Sequence, residues 1–452
     1  MSLTLSSRYD FLGRFLRQAI TNILSSIMVP LAGAISVAFL GHLEDISYLA
    51  GMTLAITLFD YIYWVLNFLR MATTGMTAEA LGRSDREQML LVGLRNSLTA
   101  AGIGILLLIL QYPLRELGFT LLSAPPDVRA SAIAYFDIRI WGFPAALLNM
   151  ILVGWLLGQE QNKKVLLVSI FGNSANIVLN YLFIVRCNWG SRGAGLSQAL
   201  SDSLMLIVIL ILVLKEIPFK EIQFVAKRIW DWSTIKANMT LNGDLFIRYL
   251  CVMSCFTIFT SLSAEMGTNV LSENALLLQI VLLHAFCCDG LGLATETLAG
   301  NFKGKKTPEQ LLPLLQIAVG TGVSVALTFS GVSILFPKTV FGLLTNHTQL
   351  IAETQIYVPW LLGFLVFTIF SFLLDGLFAA LAQGHIIRNA ALIAITLGFT
   401  PLAVLAWYFH SNHILWLAMS VFMAVRALSL VIHVPKILES NVATCGRRET
   451  SA

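Results

Sequence analysis

Two carboxylates, Asp289 and Glu296, stand in the stretch FCCDGLGLATETLAG (286–300), inside a long apolar run. They are seven residues apart, two turns of an α-helix, so both project from one face. An acid at the centre of a bilayer costs about 2.5–3.5 kcal/mol on insertion scales, so it persists where it faces an interior cavity and has a task there. The chemistry open to such an acid is reversible binding of a proton or a sodium ion. Burial favours the protonated carboxyl, and a group that cycles through protonation needs its pKa raised towards neutrality. Asp289 falls near the mid-depth of its span. Glu296 falls close to the inner end, where partial solvation is expected. The structural alternative makes Asp289 a hydrogen-bond acceptor and Glu296 a partner for the region of Lys303.

Other positions join these two. Asp375, in LLDGLFAALAQG (373–384), is also placed near mid-depth, as a second acid for a cation or a substrate, so that Na⁺ has candidate ligands at Asp289 and Asp375. Asp244 and Arg248, in NGDLFIRYL (242–250), have the i,i+4 spacing of an intrahelical ion pair near the inner rim, structural or part of the pathway. Asp60 and Tyr61 sit among aromatics in LFDYIYWVLNF (58–68). Such rings either attract an organic cation, worth about 0.5–2 kcal/mol each, or form an interfacial belt. Pro30, with Gly33 close by, removes a helix hydrogen bond and makes a candidate hinge or a static kink. Asp202 and Arg426 are further intramembrane charges whose partners the sequence does not identify.

The elements that must position these groups follow from composition. Of 452 residues, 57% are hydrophobic and 12% charged, with a mean hydropathy of +0.79. Soluble domains carry about 25% charged residues, and apolar runs near 20 residues recur here, each able to cross a roughly 30 Å hydrocarbon core. The expectation is an all-α polytopic membrane protein of twelve spans. Residues 1–215 form an N-lobe of six spans, 216–243 a linker, 244–433 a C-lobe of six spans and 434–452 a tail. Nineteen of the 29 lysines and arginines fall on the segments that place both termini in the cytoplasm, as the positive-inside rule requires for a cell membrane such as the bacterial inner membrane. The segment 215–236 interleaves aromatics with basic residues and suits an amphipathic helix on the inner leaflet. The N-terminal segment carries no signal-peptide cleavage pattern, so the first span is expected to be retained. The six cysteines read as packing residues.

The halves echo each other. Gly75-Met-Thr-Ala-Glu79 matches Gly292-Leu-Ala-Thr-Glu296, 217 positions on, and Asn149 and Gly158 match Asp375 and Gly384, 226 positions on. Six spans per half make parallel repeats about an axis along the membrane normal, and transporters of that kind bind substrate between their halves.

The segments FLRMATTGMTAEALG (68–82), WLLGQEQ (155–161), GNSANIVLN (172–180), DGLGLATETLAG (289–300) and LLDGLFAALAQGHIIRN (373–389) resemble those of the multidrug and toxic-compound extrusion (MATE) family, nearest its DinF-like branch. The resemblance implies a twelve-helix, two-lobed antiporter that exchanges H⁺ or Na⁺ for an organic compound, often cationic or amphipathic, moving outward. Two departures stand out. Ser36 and Asn180 occupy positions where the family carries N-lobe acids, and Asn176 begins the same motif as Asn180. These three side chains offer hydrogen bonds but take up no proton near neutral pH.

The reading is therefore a cation-coupled exporter with H⁺ or Na⁺ as its coupling ion and no cofactor. It acts as a monomer on a small organic substrate in the lipid bilayer, without nucleic acid. A flippase for lipid-linked saccharides calls for a strongly basic central cavity, whereas the intramembrane charges read as mainly acidic and gathered in the C-lobe. An enzyme calls for clustered His, Asp or Ser at a membrane face, and no HExxH, GxSxG or Walker-type loop occurs.

Overall fold

The computed structural model describes residues 9–41, 46–121, 126–345 and 347–439. Among them every regular element is helical, and eleven helices are long and apolar enough to cross a membrane. With the 30-residue helix that precedes them, the long helices are α1 (Leu12–Gly41), α2 (Ala50–Gly82), α3 (Arg86–Ile109), α4 (Val128–Gly158), α5 (Asn162–Arg186) and α6 (Gly190–Glu216), then α7 (Trp232–Glu265), α8 (Thr268–Lys305), α9 (Pro308–Leu335), α10 (Trp360–Ala380), α11 (Gly384–Phe409) and α12 (Asn412–Glu439). The expected tail is described only as far as Glu439.

Two compact units form, and they interleave along the chain. One holds Leu24–Thr77 and Asp85–Lys236; the other holds Met1–Ile23, Ala78–Ser84 and Ala237–Ala452. In the first, α4 is the hub, packed on α2, α3 and α6. In the second, α10 plays that part against α8, α9 and α12. Glycines set the closeness of both hubs. A Cβ on Gly158 of α4 would lie 2.7 Å from the Thr74 carbonyl oxygen of α2, and one on Gly376 of α10 would lie 2.5 Å from the Gly292 carbonyl oxygen of α8. Backbone meets backbone at each point, so only glycine fits.

The backbone records the duplication more firmly than the residues do. Left-handed φ values end helices at Ser84, Glu160 and Asn188, and again at Lys306, Ala382 and His410. Each pair is separated by 222 positions, although no pair shares a residue type. Each half also carries one π-helical stretch in its fifth span, Tyr181–Arg186 in α5 and Ala394–Phe399 in α11, though these lie outside the 222-residue register. This register corrects the sequence alignments. Glu79 lies five residues before its helix-ending Ser84, whereas Glu296 lies ten before Lys306. Asn149 lies eleven before Glu160, whereas Asp375 lies seven before Ala382. Both motif matches are about one helical turn out of register, in opposite senses, because small apolar residues recur at helical spacing and align at more than one offset.

The linker also differs from expectation. Only Phe219–Ala226 is helical between α6 and α7, and α7 starts at Trp232, twelve residues ahead of Asp244. Arg95 of α3 explains the break. Its Nε donates to the Ile229 carbonyl and its Nη2 to the Arg228 carbonyl, both at 2.9 Å, holding those groups out of a helix. Arg86–Glu221 (2.8 Å) and Arg228–Glu87 (2.7 Å) fasten the same segment to α3, and Trp230 and Trp232 are left exposed.

Candidate functional site

In the first unit, polar side chains form a connected path across α5, α6 and α4. Asn176 and Asn180 lie one turn apart on α5, as do Gln198 and Asp202 on α6, so each pair shares a helix face. Asn180 Nδ2 donates to Asn176 Oδ1 (2.9 Å), Asn176 Nδ2 donates to Gln198 Oε1 (2.9 Å), and Gln198 Nε2 donates to Asp202 Oδ1 (3.2 Å). Asn149 of α4 donates to the Asp202 carbonyl (2.8 Å). The path ends at Arg139 of α4, whose Nη1 stands 3.9 Å from Asp202 Oδ2. The Arg139 guanidinium lies 4.9 Å from the centre of the Phe59 ring, and Asp60, next to Phe59, interacts electrostatically with it. One carboxylate, Asp202, thus stands beside this guanidinium, and the exposed Asp60 acts on it only through space. Asp202 is twelve residues into α6, about 18 Å along the helix at 1.5 Å per residue, and so near mid-span.

In the second unit the polarity is reversed. Asp375 of α10 is 1% exposed and lies between Arg248 of α7 (2.6 Å) and Arg426 of α12, both buried. The Arg248 guanidinium also covers the Tyr249 ring (4.1 Å) and the Phe372 ring (5.4 Å). Among the described residues, Nε of Arg248, Nε and Nη1 of Arg426, and Oδ1 of Asp375 have no hydrogen-bond partner. Two sequence readings change here. Asp375 is not an open acid for a cation, because two guanidiniums hold it and repel further positive charge. Arg248 does not pair with Asp244 one turn before it. Asp244 instead accepts from Arg388 Nη1 of α11 (2.7 Å), beside the close approach of Gly384. The buried acids still gather in the C-terminal half, where Asp244, Glu273, Glu296 and Asp375 are all buried. At this cluster, however, one carboxylate is outnumbered by two arginines.

Asp289 and Glu296 of α8 exchange their expected environments. Asp289 is half-buried, whereas Glu296 is 1% exposed rather than solvated. The cause is the small-residue run from Gly290 onward, which brings α8 against Ile23 of α1 and against Gly376 of α10. Lys303 is not free for Glu296, since it pairs with Glu79 (2.8 Å), which Arg83 also contacts. Tyr61 is exposed on α2 beside Asp60. Buried Cys288 touches His284, one turn before it, at 3.3 Å. No group of three such metal-binding side chains occurs among the described residues. Pro30 and Ser36 lie on α1, but their side chains fall outside the described residues.

Sequence reasoning flagged Asp202 without a partner and passed over Arg139. A usable signal was present: charges of opposite sign inside spans 4 and 6 of the same lobe, beside an amide one turn from the acid.

Comparison with known proteins agrees with this architecture. The MatE family model matches residues 22–182 and again 245–405, two segments whose starts differ by 223 positions, close to the backbone register. The chain is 32% identical over 413 residues to DNA damage-inducible protein F of Escherichia coli (strain K12), covering 91% of this chain and 89% of that one. The outward-facing conformation of a multidrug resistance MATE family transporter of the MOP superfamily superposes with a TM-score of 0.86 at 18% identity, over 96% of this chain and 97% of that one. A MOP superfamily transporter from Pyrococcus furiosus, described as having a binding pocket of reverse polarity, superposes with a TM-score of 0.85 at 17% identity, over 95% and 96%. With both halves matched by the family model and most of its length shared with a relative above 30% identity, the chain belongs to the MATE family of multi-pass membrane transporters.

Proposed function

We propose that the chain is a secondary antiporter that exports a small organic amphiphile, driven by a proton or sodium ion that binds at Asp202. The observation that carries this reading is the path from Asn180 through Asn176 and Gln198 to Asp202. The acid missing from α5 is supplied one helix along, on α6, and the amides join the two positions. Arg139, 3.9 Å from Asp202 and within electrostatic reach of Asp60, gives the site two arrangements. When Asp202 is charged, it holds Arg139. A proton on Asp202 removes that charge and releases Arg139 towards Asp60, and loss of the proton restores the first pairing. A cation that favours one arrangement over the other can bias a two-state element. Both termini are assigned to the cytoplasmic side by the basic residues of the connecting segments. Asp289, with Glu296 behind it, is the secondary coupling candidate because it is the more accessible acid of α8.

A flippase for lipid-linked saccharides draws one favourable observation, the excess positive charge around Asp375, but the acid excess in the other unit weighs against a pyrophosphate cargo.

Everted membrane vesicles carrying the protein, with a fluorescent amphiphile supplied outside and either a proton or a sodium gradient imposed, test the reading by uptake. Faster transport under one gradient than under none supports it. Equal rates under both gradients and without either would remove cation coupling from the account.

A further inference from the structure

A carboxylate flanked by two buried arginines in a membrane interior leaves a formal charge of +1 with no counter-ion among the described residues that contact it. An uncompensated charge in that setting is costly and marks a functional site by default. The cluster is also incompletely satisfied. Three guanidinium N–H-bearing atoms, Nε of Arg248 and Nε and Nη1 of Arg426, lack hydrogen-bond acceptors among the described residues. Arginine presents its donors in a planar fork that matches an oxyanion with two parallel hydrogen bonds. The surroundings are apolar and aromatic: Tyr249, Phe372 and the neighbouring Cys251. Arg248, Asp375 and Arg426 come from α7, α10 and α12, so any rearrangement among these three helices changes access to the donors.

Resting on the reading of the chain as an exporter, we propose that Arg248 and Arg426 form an oxyanion-binding subsite for the cargo, so that the exported compound is an amphipathic organic acid or zwitterion. Asp375 is the positioning residue. It holds Nη2 of each guanidinium, Tyr249 accepts from Arg248 as well, and Nε of Arg248 with Nε and Nη1 of Arg426 are left for the cargo's acidic group. The duplication gives the site context. The 222-residue register puts position 424 opposite Asp202, and Arg426 lies two residues further along the same helix. Equivalent helices, α6 and α12, thus carry opposite charges at nearly equivalent positions of the repeat. One retains an acid suited to a coupling cation, and the other a base suited to an anionic group.

The test is equilibrium binding to purified protein in phosphatidylcholine nanodiscs, with no gradient, so that its outcome does not depend on coupling. The probes are a fluorescent amphiphile bearing a carboxylate and the same molecule with that carboxylate converted to a primary amide. The expected result is about tenfold tighter binding of the carboxylate, reduced to near equality in Arg426→Lys and Arg248→Lys, which keep the charge but lose the fork. Equal affinity of the two probes for the unaltered protein overturns the proposal whatever the variants do, so a variant that fails to fold does not protect it. Unchanged discrimination in both folded variants also overturns it. Exchanging phosphatidylcholine for phosphatidylglycerol is expected to leave carboxylate binding within about twofold. Its abolition there, with the weaker binding to Arg426→Lys unchanged by the same exchange, would assign the donors to an anionic lipid headgroup and overturn the cargo reading.

Discussion

Arg248 bonds Asp375 across 2.6 Å from a neighbouring helix and leaves Asp244, one turn away on its own helix, to Arg388. A surface i,i+4 pair is worth only a few tenths of a kcal/mol. A buried guanidinium that lost Asp375 would be left without its compensating charge, and that penalty is several times larger. Burial therefore decides the pairing.

Removing the shared acid is expected to be severe. Asp375→Ala strands two buried cations and should cost about 3–5 kcal/mol, read as a large fall in the thermal midpoint of the detergent-purified protein. Combining Asp375→Asn with Arg248→Gln takes away one charge of each sign and should cost clearly less than the sum of the two single changes, as expected for residues in contact. Additive losses would contradict a coupled cluster.

Glycine positions on α10 give a contrast within one helix. Gly376→Ala places a methyl 2.5 Å from the Gly292 carbonyl oxygen, whereas Gly363→Ala meets nothing within 4 Å. The first should lower stability by about 1–3 kcal/mol through overpacking. The second should be neutral or gain roughly 0.5–1 kcal/mol from lower unfolded-state entropy. Thermal melts of the two variants side by side check both.

Arg95→Ala should loosen the connection between α6 and α7, because the Ile229 and Arg228 carbonyls lose their donor. Limited proteolysis is the readout, with faster cleavage between 227 and 231 and with transport impaired less than by any change at Asp202.

The span count, the all-helical class and the duplication were legible in the sequence because each follows from apolar run length and loop charge, which are local quantities. Register was not. Glycine and alanine recur every three or four residues in packed spans, so Glu79 aligned with Glu296 by motif, while the helix-ending residues Ser84 and Lys306 share no identity and show their kinship only in φ. Charge partners were also hidden. Asp244 and Arg248 looked paired because spacing is visible along one helix, whereas Asp375 and Arg426 meet only after α10 packs on α12. The burial of Glu296 followed from Gly292 and Gly376 touching, a contact that no one-dimensional pattern contains.

Asp289 and Asp202 should separate in function. Asp289→Asn, altering a half-buried group on α8, is expected to retain gradient-driven transport to within about threefold of the unaltered protein. Such a change is smaller than the loss expected when a single group carries coupling, where about 1.4 kcal/mol corresponds to each factor of ten. Rates in everted vesicles at matched expression provide the check, and a complete loss would move coupling to α8.

The central claim is that Asp202 carries the coupling ion, and the direct measurement is transport by Asp202→Asn in proteoliposomes under two regimes. One imposes a proton or sodium gradient; the other measures exchange of labelled for unlabelled cargo with no gradient. The account predicts that the variant loses gradient-driven accumulation while cargo exchange persists, because asparagine keeps the hydrogen bond from Gln198 but binds no proton. Full gradient-driven accumulation by Asp202→Asn would contradict it.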